Sequence, residues 1–346
     1  MRHRRSLFSA ATGLLLALAG VALAASGDPF AAEIARLRAA SGGKPSPALV
    51  QAEQDLGAGR RLLALYRFVD ARAELGTQDY LRQRQPAQRQ PAGFEAEWAR
   101  MGTALRADLA KPSPGALDGV RPAAVRAVAE VALPKVRGFY DASLQQGRNT
   151  TAGEGLYYLA SAQGQKEVVE LCRRISTPTP LKAPPLRSLR GELDALEGKL
   201  LKAYRPPASI EKNGPFLEAS ATLKEARELD AAGLRYGAML RYLESAQRVA
   251  AIVSPPALSA AEVSRRLKDL DARLAAGGVD HSIGRMLLEQ AQAELASLAP
   301  GARPGRAALI AAEALPRYFA ALKPAPPEPP KVAPIVTVTF VRWPYI

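Results

Sequence analysis

The chain has 346 residues, with 47 lysines and arginines against 33 aspartates and glutamates, and a formal net charge of +14. Cys172 is the only cysteine, so a disulfide within the chain and a zinc site built from cysteines and histidines are both excluded. The histidines are His3 and His281, and a Cys172–His281 pair stays open as a nucleophilic site. The helical spacing of Val168, Leu171 and Cys172 instead predicts a buried, unreactive thiol.

Residues 1–24 have the pattern of a cleaved export signal. Basic residues at positions 3–5 precede an apolar run over residues 7–24, and Ala22-Leu23-Ala24 supplies the small side chains that a signal peptidase accepts before Ala25. The many Ala, Gly, Ser and Thr residues in the run favour cleavage over an uncleaved membrane anchor. We therefore expect a periplasmic or secreted protein that uses the general secretory route, with twin-arginine export as the alternative.

A mature chain that starts at Ala25 would carry a formal charge of +11, because residues 1–24 hold three arginines and no acidic residue. A positive charge favours anionic partners, such as an envelope surface of phospholipid headgroups or polysaccharide. The cations are spread along the whole chain, however, which also fits its general Arg-rich and Ala-rich composition. No specific nucleic-acid binding, cofactor or metal site is predicted.

The first helical half, residues 25–177, begins with two clear helix starts. Asp28-Pro29 and Ser46-Pro47 each pair a capping residue with proline at the first helical position. After a break near Gly59, apolar residues recur at helical spacing, which completes a predicted helical hairpin. They are Leu62, Tyr66, Val69 and Ala73.

Further along this half, residues 80–93 are rich in Arg, Gln and Pro and lack an apolar face, so they predict a solvated loop. A helix marked by Trp98 and Met101 follows. The next helix, over residues 121–140, contains Pro134 in an Ala-Leu-Pro sequence that recurs at 314–316, which predicts an interrupted helix at both places. Thr151 and Glu154 then predict a capping-box start for the helix that carries Tyr157 and Tyr158.

Residues 178–185 contain four prolines, at positions 178, 180, 184 and 185, and they predict a linker between two helical halves. The second half, residues 186–322, has leucine stripes at spacings of 3 and 4 residues, which predict helices packed against their neighbours. The stripes are Leu186, Leu189, Leu193, Leu196 and Leu200, and then Val263, Leu267, Leu270 and Leu274. Ser259 and Glu262 form a predicted capping box before the second stripe.

Residues 323–346 differ from the rest of the chain. Six prolines between positions 323 and 334 predict an extended spacer, and the Val and Thr alternation at 335–343 is the only clear strand signal. We expect a tether that adds a strand to the sheet of a partner protein. A strand that folds back on the body, or a disordered tail, is the alternative.

A six-residue pattern recurs along the chain, with copies that start at positions 68, 158, 242 and 287. The copy at Tyr242-Leu243-Glu244-Ser245-Ala246-Gln247 is the clearest, and each copy places large and small side chains on one helical face. The separations are multiples of about 42–45 residues, a length typical of helical repeat units. The sequence therefore predicts an all-α fold of stacked helical hairpins, either α-solenoid-like or an irregular helical repeat bundle.

Two hairpins also share a turn glycine, a small residue, an aromatic residue and a second small residue at the same offsets. They are Gly59, Ala64, Phe68 and Ala71, and Gly233, Ala238, Tyr242 and Ser245. These offsets resemble those of tetratricopeptide repeats, over residues 46–75 and 219–253, although the period of about 34 residues in that family is shorter than the intervals found here. The resemblance implies a scaffold of stacked hairpins whose concave face binds peptides or protein segments.

These features together predict a non-enzymatic module that binds or scaffolds proteins in the cell envelope. The candidate contacts are Tyr66, Tyr157, Tyr158, Tyr236 and Tyr242 in the helical body, most of which we expect to be core, and Val338, Phe340 and Trp343 in the tail. The alternatives are an enzyme that acts on cell-wall glycan with catalytic carboxylates on a helical framework, and a basic protein that binds the envelope surface. No sequence pattern marks a catalytic carboxylate.

Overall fold

The computed structural model describes residues 28–41, 45–84, 90–106, 109, 114–149, 151–205 and 210–323. The predicted export signal, the strand and the spacer beyond Lys323 lie outside these ranges. The described residues of the first half form six helices: α1 (Pro29–Ala40), α2 (Pro47–Gly57), α3 (Arg61–Arg82), α4 (Pro91–Ala104), α5 (Ala123–Asn149) and α6 (Ala152–Arg174).

The second half contributes α7 (Arg190–Ala203), α8 (Asn213–Ala231), α9 (Arg235–Val253), α10 (Ala260–Ala275), α11 (Ser282–Ser297) and α12, which runs as Gly305–Leu309, a π-helical turn Ile310–Ala314, and Leu315–Ala321. Short 3-10 helices occur at Pro114–Leu117 and Ile210–Lys212. In the described part of the chain, the β-structure amounts to one isolated parallel bridge between Lys182 and Val279. The prediction of an all-α fold is confirmed.

Four helices begin at capping residues that the sequence identifies. Asp28, Ser46, Thr151 and Ser259 each accept a hydrogen bond from a backbone N–H two or three residues further on. Ser259 and Glu262 form the predicted capping box, in which each side chain accepts from the other residue's backbone N–H. These bonds join near neighbours in the chain, so they form wherever the local sequence provides them.

Most of the described residues between 80 and 93 are helical, so the predicted loop is wrong there. α3 continues to Arg82, and α4 already begins at Pro91. The reason is that Tyr80 is buried, with its hydroxyl donating to Glu97 on α4 and its ring covered by the Arg84 guanidinium at 3.9 Å. Tyr80, Arg84 and Glu97 contact one another between α3 and α4. Because these polar side chains are satisfied by partners distant in the sequence, the sequence alone predicts a solvated loop where the chain is helical.

Both predicted proline interruptions lie in helices that pack against α9. Pro134 lies inside α5, where it offers no N–H to the carbonyl of Glu130. In α12, the π-helical turn ends at Ala314 and Pro316 lies two residues further on. A π-helical turn departs from the regular hydrogen-bond pattern of an α-helix. α5 thus continues as one helix through Pro134, whereas α12 changes its hydrogen-bond pattern next to Pro316.

All four copies of the six-residue pattern lie on the second helix of a helix pair: α2–α3, α5–α6, α8–α9 and α10–α11. The fourth position of each copy is buried, and the residues there are small or polar. They are Ala71, Ser161, Ser245 and Gln290. The pattern therefore marks the face that a second helix turns towards the interior.

The pairs do not form an open row, because late helices return to early ones. α11 packs against α3 and α5, and α5 also packs against α6 and α9. One continuous cluster of buried side chains extends from Phe30 in α1 to Ala321 in α12, and a smaller cluster lies around Phe94 in α4. Gly164 allows α6 to pack closely against α3, because a Cβ at this position would lie 2.4 Å from the Ala73 carbonyl oxygen of α3.

Several helices without a local side-chain cap take a carboxylate from another part of the fold. The remote acceptors, with the backbone N–H that each receives, are Glu289 for Leu63 in α3, Asp280 for Ala123 in α5, Asp230 for Leu189 before α7, Glu130 for Gly237 in α9, and Glu294 for Ala307 in α12. Free N–H groups in the first turn of a helix need such acceptors when water is excluded. These bonds join segments up to 226 residues apart.

Asp280 provides a direct test of a remote cap. Its carboxylate is 3% exposed and accepts from Ala123 N–H at 2.6 Å and from Ser282 N–H at 3.1 Å. We expect Asp280→Ala to lower the free energy of unfolding by about 2–3 kcal/mol, because both donors would lose a charged acceptor in the interior. The exposed local cap Ser259→Ala is the matched control, with an expected loss of about 1 kcal/mol. Urea unfolding followed by circular dichroism measures both, and equal losses would contradict a special role for the remote cap.

Candidate functional site

A cleft follows one face of α5, where Val128, Val131, Ala132 and Lys135 form its floor. It consists of an outer hollow of about 530 Å³ and an inner hollow of about 180 Å³, and Val131 and Lys135 line both. We call this feature the α5 cleft. It is a concave surface between neighbouring helix pairs, the kind of place in which helical scaffolds hold ligands.

The outer hollow has an apolar base and a charged rim. Val131 and Pro134 of α5 face Leu229 and Ala232 at the end of α8. The rim carries both signs of charge, from Lys135, Arg137, Asp141, Glu225 and Glu228. An occupant would therefore bury apolar groups at the base and meet paired charges of either sign at the edge.

The inner hollow lies between α3, α6 and α9. Its walls come from Tyr66 and Val69 of α3, Gln165 of α6, and Leu240 and Glu244 of α9. Helices α3 and α9 thus meet the consecutive pair α5–α6 at one place, with α5 as the floor.

A series of ion pairs and one hydrogen bond joins these walls. Lys135 Nζ lies 3.0 Å from Glu225 Oε1, and the other oxygen of Glu225 lies 3.0 Å from Arg241 Nε. Arg241 also pairs with Glu244, whose second oxygen accepts a 2.6 Å hydrogen bond from the Tyr66 hydroxyl. Burial, and then the neighbouring Glu244 carboxylate, raise the pKa of Tyr66 above its ordinary value, so the phenol keeps its proton and acts as the donor.

The position of α9 at this wall is fixed by Glu130. This side chain is fully buried and accepts from Gly237 N–H and from Arg126 Nε, both at 2.9 Å. Burial raises the pKa of Glu130 despite these bonds. A Cβ on Gly237 would lie 2.9 Å from the Glu130 Cβ, so glycine allows α9 to begin directly against α5.

The carboxylates at the centre of the α5 cleft are engaged with cations. Glu225 contacts Lys135 and Arg241, and Glu244 contacts Arg241 and Tyr66. Glycoside hydrolysis needs one carboxyl group that gives a proton and a second that attacks or activates water. The ion pairs at Glu225 and Glu244 instead hold helices at fixed positions, so this arrangement supports binding.

The tyrosines predicted as contacts occupy different environments. Tyr66 lines the α5 cleft, whereas Tyr242 is 2% exposed, with its hydroxyl 3.5 Å from Arg317. Tyr236 is half-buried under the Arg126 guanidinium, 4.7 Å from the ring centroid. Tyr158 packs against Phe139, and Tyr157 is 54% exposed with its ring edge-on to Tyr158. Val338, Phe340 and Trp343 lie outside the described residues.

The sequence does not single out most of the residues that build the cleft. Lys135, Glu225 and Arg241 read as solvated charges on helix surfaces, because nothing local shows that three different helices bring them together. Two signals pointed here: Tyr66, which was a predicted contact and lines the cleft, and Glu244, which lies inside the clearest copy of the six-residue pattern.

Cys172 and His281 have separate surroundings. Cys172 is fully buried in α6, as its spacing predicts, and burial raises the pKa of its thiol to about 12. His281 lies just before α11, with Nδ1 2.9 Å from the Tyr318 hydroxyl, and burial lowers its pKa. A thiol in this state is a core side chain and not a nucleophile.

Within the described ranges, no group of three or more His, Cys, Asp or Glu residues is placed to hold a metal ion. Likewise, none of the helices described has the length and apolar character needed to cross a membrane. Comparisons of the chain with protein-family models, with curated proteins and with solved structures find no match. The functional assignment therefore depends on the geometry of the fold.

Tyr66 provides the stability test for the cleft wall. We expect Tyr66→Phe to lower the free energy of unfolding by about 1–2 kcal/mol, because Glu244 loses a donor in a partly buried site. Tyr157→Phe removes a hydroxyl from an exposed tyrosine and should stay within about 0.5 kcal/mol of the wild type. Chemical denaturation of the two variants in parallel measures the difference. A neutral Tyr66→Phe would show that the contact with Glu244 does not hold the wall.

Proposed function

We propose that the protein is an exported, non-enzymatic binding module that holds a segment of a partner protein in the α5 cleft. The observation that carries the proposal is the cleft itself: an apolar base on α5, paired charges at the rim, and walls from α3, α6, α8 and α9. Its outer hollow, at about 530 Å³, is in the size range of ligand pockets. The likeness of two hairpins to peptide-binding helical repeats supports the same class of partner.

The chemistry of the cleft favours a short peptide with one or two apolar anchors flanked by charged residues. Aliphatic side chains would fill the base beside Val131 and Leu229, which removes apolar surface from water. The rim also carries the exposed side chains of Arg137, Asp141 and Glu228, so charges of either sign on the peptide find a counterpart. Because ion pairs and hydrogen bonds already hold the walls of the cleft, binding requires less ordering of the protein.

A cleft-filling substitution tests this proposal. Gly138 is an exposed residue of α5 that lines the outer hollow, and a Cβ added there meets no atom within 4 Å. We expect Gly138→Trp to fold normally and to weaken peptide binding by about tenfold or more, since its indole would occupy the base of the cleft. Gly191→Trp, on the exposed surface of α7 with similar open space, is the matched control.

The probe is a peptide selected from a random display library on the mature wild-type chain, with affinity measured by fluorescence anisotropy. Equal affinity for Gly138→Trp and wild type would remove the cleft as the binding site. Repeated selections that yield no peptide would remove peptide binding as the function.

Export is tested by the mass of the product. The pattern over residues 1–24 supports cleavage after Ala24. We expect the full chain, expressed in a Gram-negative host, to be recovered from the periplasm with Ala25 as its first residue. Replacing Ala22 and Ala24 together by Trp should leave the precursor uncleaved, because both positions accept small side chains only. Intact mass spectrometry distinguishes the forms, and a wild-type product that keeps residues 1–24 in the cytoplasm would contradict the proposal.

A further inference from the structure

Large hydrophobic side chains are exposed at one end of the molecule. Of the six such side chains in the described residues, four lie there, each more than 40% exposed: Leu201, Ile210, Leu217 and Val253. They come from the end of α7, the 3-10 helix Ile210–Lys212, the start of α8 and the end of α9. We call this surface the apolar end.

Contacts between these segments show that they meet. The rings of Tyr204, just after α7, and Phe216 of α8 stack at 4.1 Å, and the Tyr204 hydroxyl donates to Asn213 Oδ1 at 2.9 Å. Lys212 Nζ donates to the carbonyl of Ile252 at 3.4 Å, which ties the 3-10 helix to the end of α9. The segments that carry the four exposed aliphatic side chains therefore meet at one end of the molecule.

The charges around the apolar end are mainly positive. The described residues of 199–218 and 248–255 include five cations against two carboxylates, Glu211 and Glu218, and Glu218 pairs with Arg248. The other cations are Lys199, Lys202, Arg205 and Lys212. An anionic partner complements this surface.

The side-chain types favour a lipid surface over a protein partner. Protein interfaces concentrate energy in Trp, Tyr and Arg and are depleted in Lys. Here aliphatic tips are exposed beside lysines, with Tyr204 half-buried between them. Aliphatic side chains that enter the headgroup boundary, basic residues that meet lipid phosphates, and tyrosine at the interface are the features of proteins that lie on anionic membranes.

We propose that the apolar end docks the protein on an anionic phospholipid surface. Leu201, Ile210, Leu217 and Val253 enter the boundary between headgroups and acyl chains, and Lys199 and Lys202 contact lipid phosphates. The four exposed aliphatic residues and the lysines of this surface do not line the α5 cleft, and Arg248 borders both. The membrane-docking proposal therefore does not depend on the peptide-binding proposal.

Vesicle sedimentation with the full mature chain tests the apolar contribution. The vesicles contain phosphatidylcholine either alone or mixed with phosphatidylglycerol. We expect binding to the anionic vesicles, and a loss of about tenfold or more in the partition coefficient for the double variant Leu201→Ser/Leu217→Ser. Tyr157→Ser/Leu181→Ser removes two equally exposed apolar side chains elsewhere and should bind like the wild type.

The charge contribution has its own variant. Lys199→Gln/Lys202→Gln should weaken binding to the anionic vesicles by about tenfold or more, and added salt should weaken wild-type binding in the same direction. Circular dichroism checks that each variant is folded. Unchanged vesicle binding by the apolar double variant would overturn the proposal. So would a wild-type chain that ignores both vesicle types but forms a concentration-dependent dimer that Leu201→Ser/Leu217→Ser abolishes, since the surface would then belong to a second copy.

Discussion

The fold depends on buried or half-buried carboxylates that cap the N-termini of helices far away in the chain. A first turn presents N–H groups that no carbonyl of the same helix can reach, and burial without an acceptor is costly. Glu289, Asp280 and Glu130 meet this requirement for α3, α5 and α9. Each cap works only if two helices from different parts of the chain are docked in one register. The same bonds that complete a helix end therefore also fix tertiary structure, and the two halves of the chain share a core because each supplies acceptors to the other.

The α5 cleft is a consequence of these constraints. Glu130 places the first turn of α9 against α5, and Gly237 permits the short distance between the two backbones. The cap from Glu289 to Leu63 holds α3 against α11, which keeps Tyr66 within reach of Glu244. Walls that are set by hydrogen bonds and ion pairs need little reordering when a ligand enters. A preformed cleft with an apolar base, whose central carboxylates are engaged by cations, is suited to holding a partner segment.

Different parts of the α8–α9 pair carry the two proposed surfaces. The second half of α8, from Glu225 to Ala232, borders the α5 cleft, whereas its first turn, with Leu217, belongs to the apolar end. A module that rests on a lipid surface through one end of a rigid helix pair keeps the cleft further along the same pair open to solvent. The two proposals combine in one arrangement, in which a scaffold that rests on a lipid surface presents a peptide site to its surroundings.

The sequence by itself determined the all-α class, the helix starts at Asp28, Ser46, Thr151 and Ser259, and the buried leucine stripes, because periodicity and capping act between residues a few positions apart. It also located the recurring pattern that marks the second helix of each pair. Only the tertiary structure decided that residues 80–82 and 91–93 are helical, that Tyr242 is core while Tyr66 lines a cleft, and which carboxylates cap which helices. Those outcomes depend on pairs such as Glu289 and Leu63, whose partners lie on helices distant in the chain, and the spacing of residues along one helix carries no information about which distant helix will lie beside it.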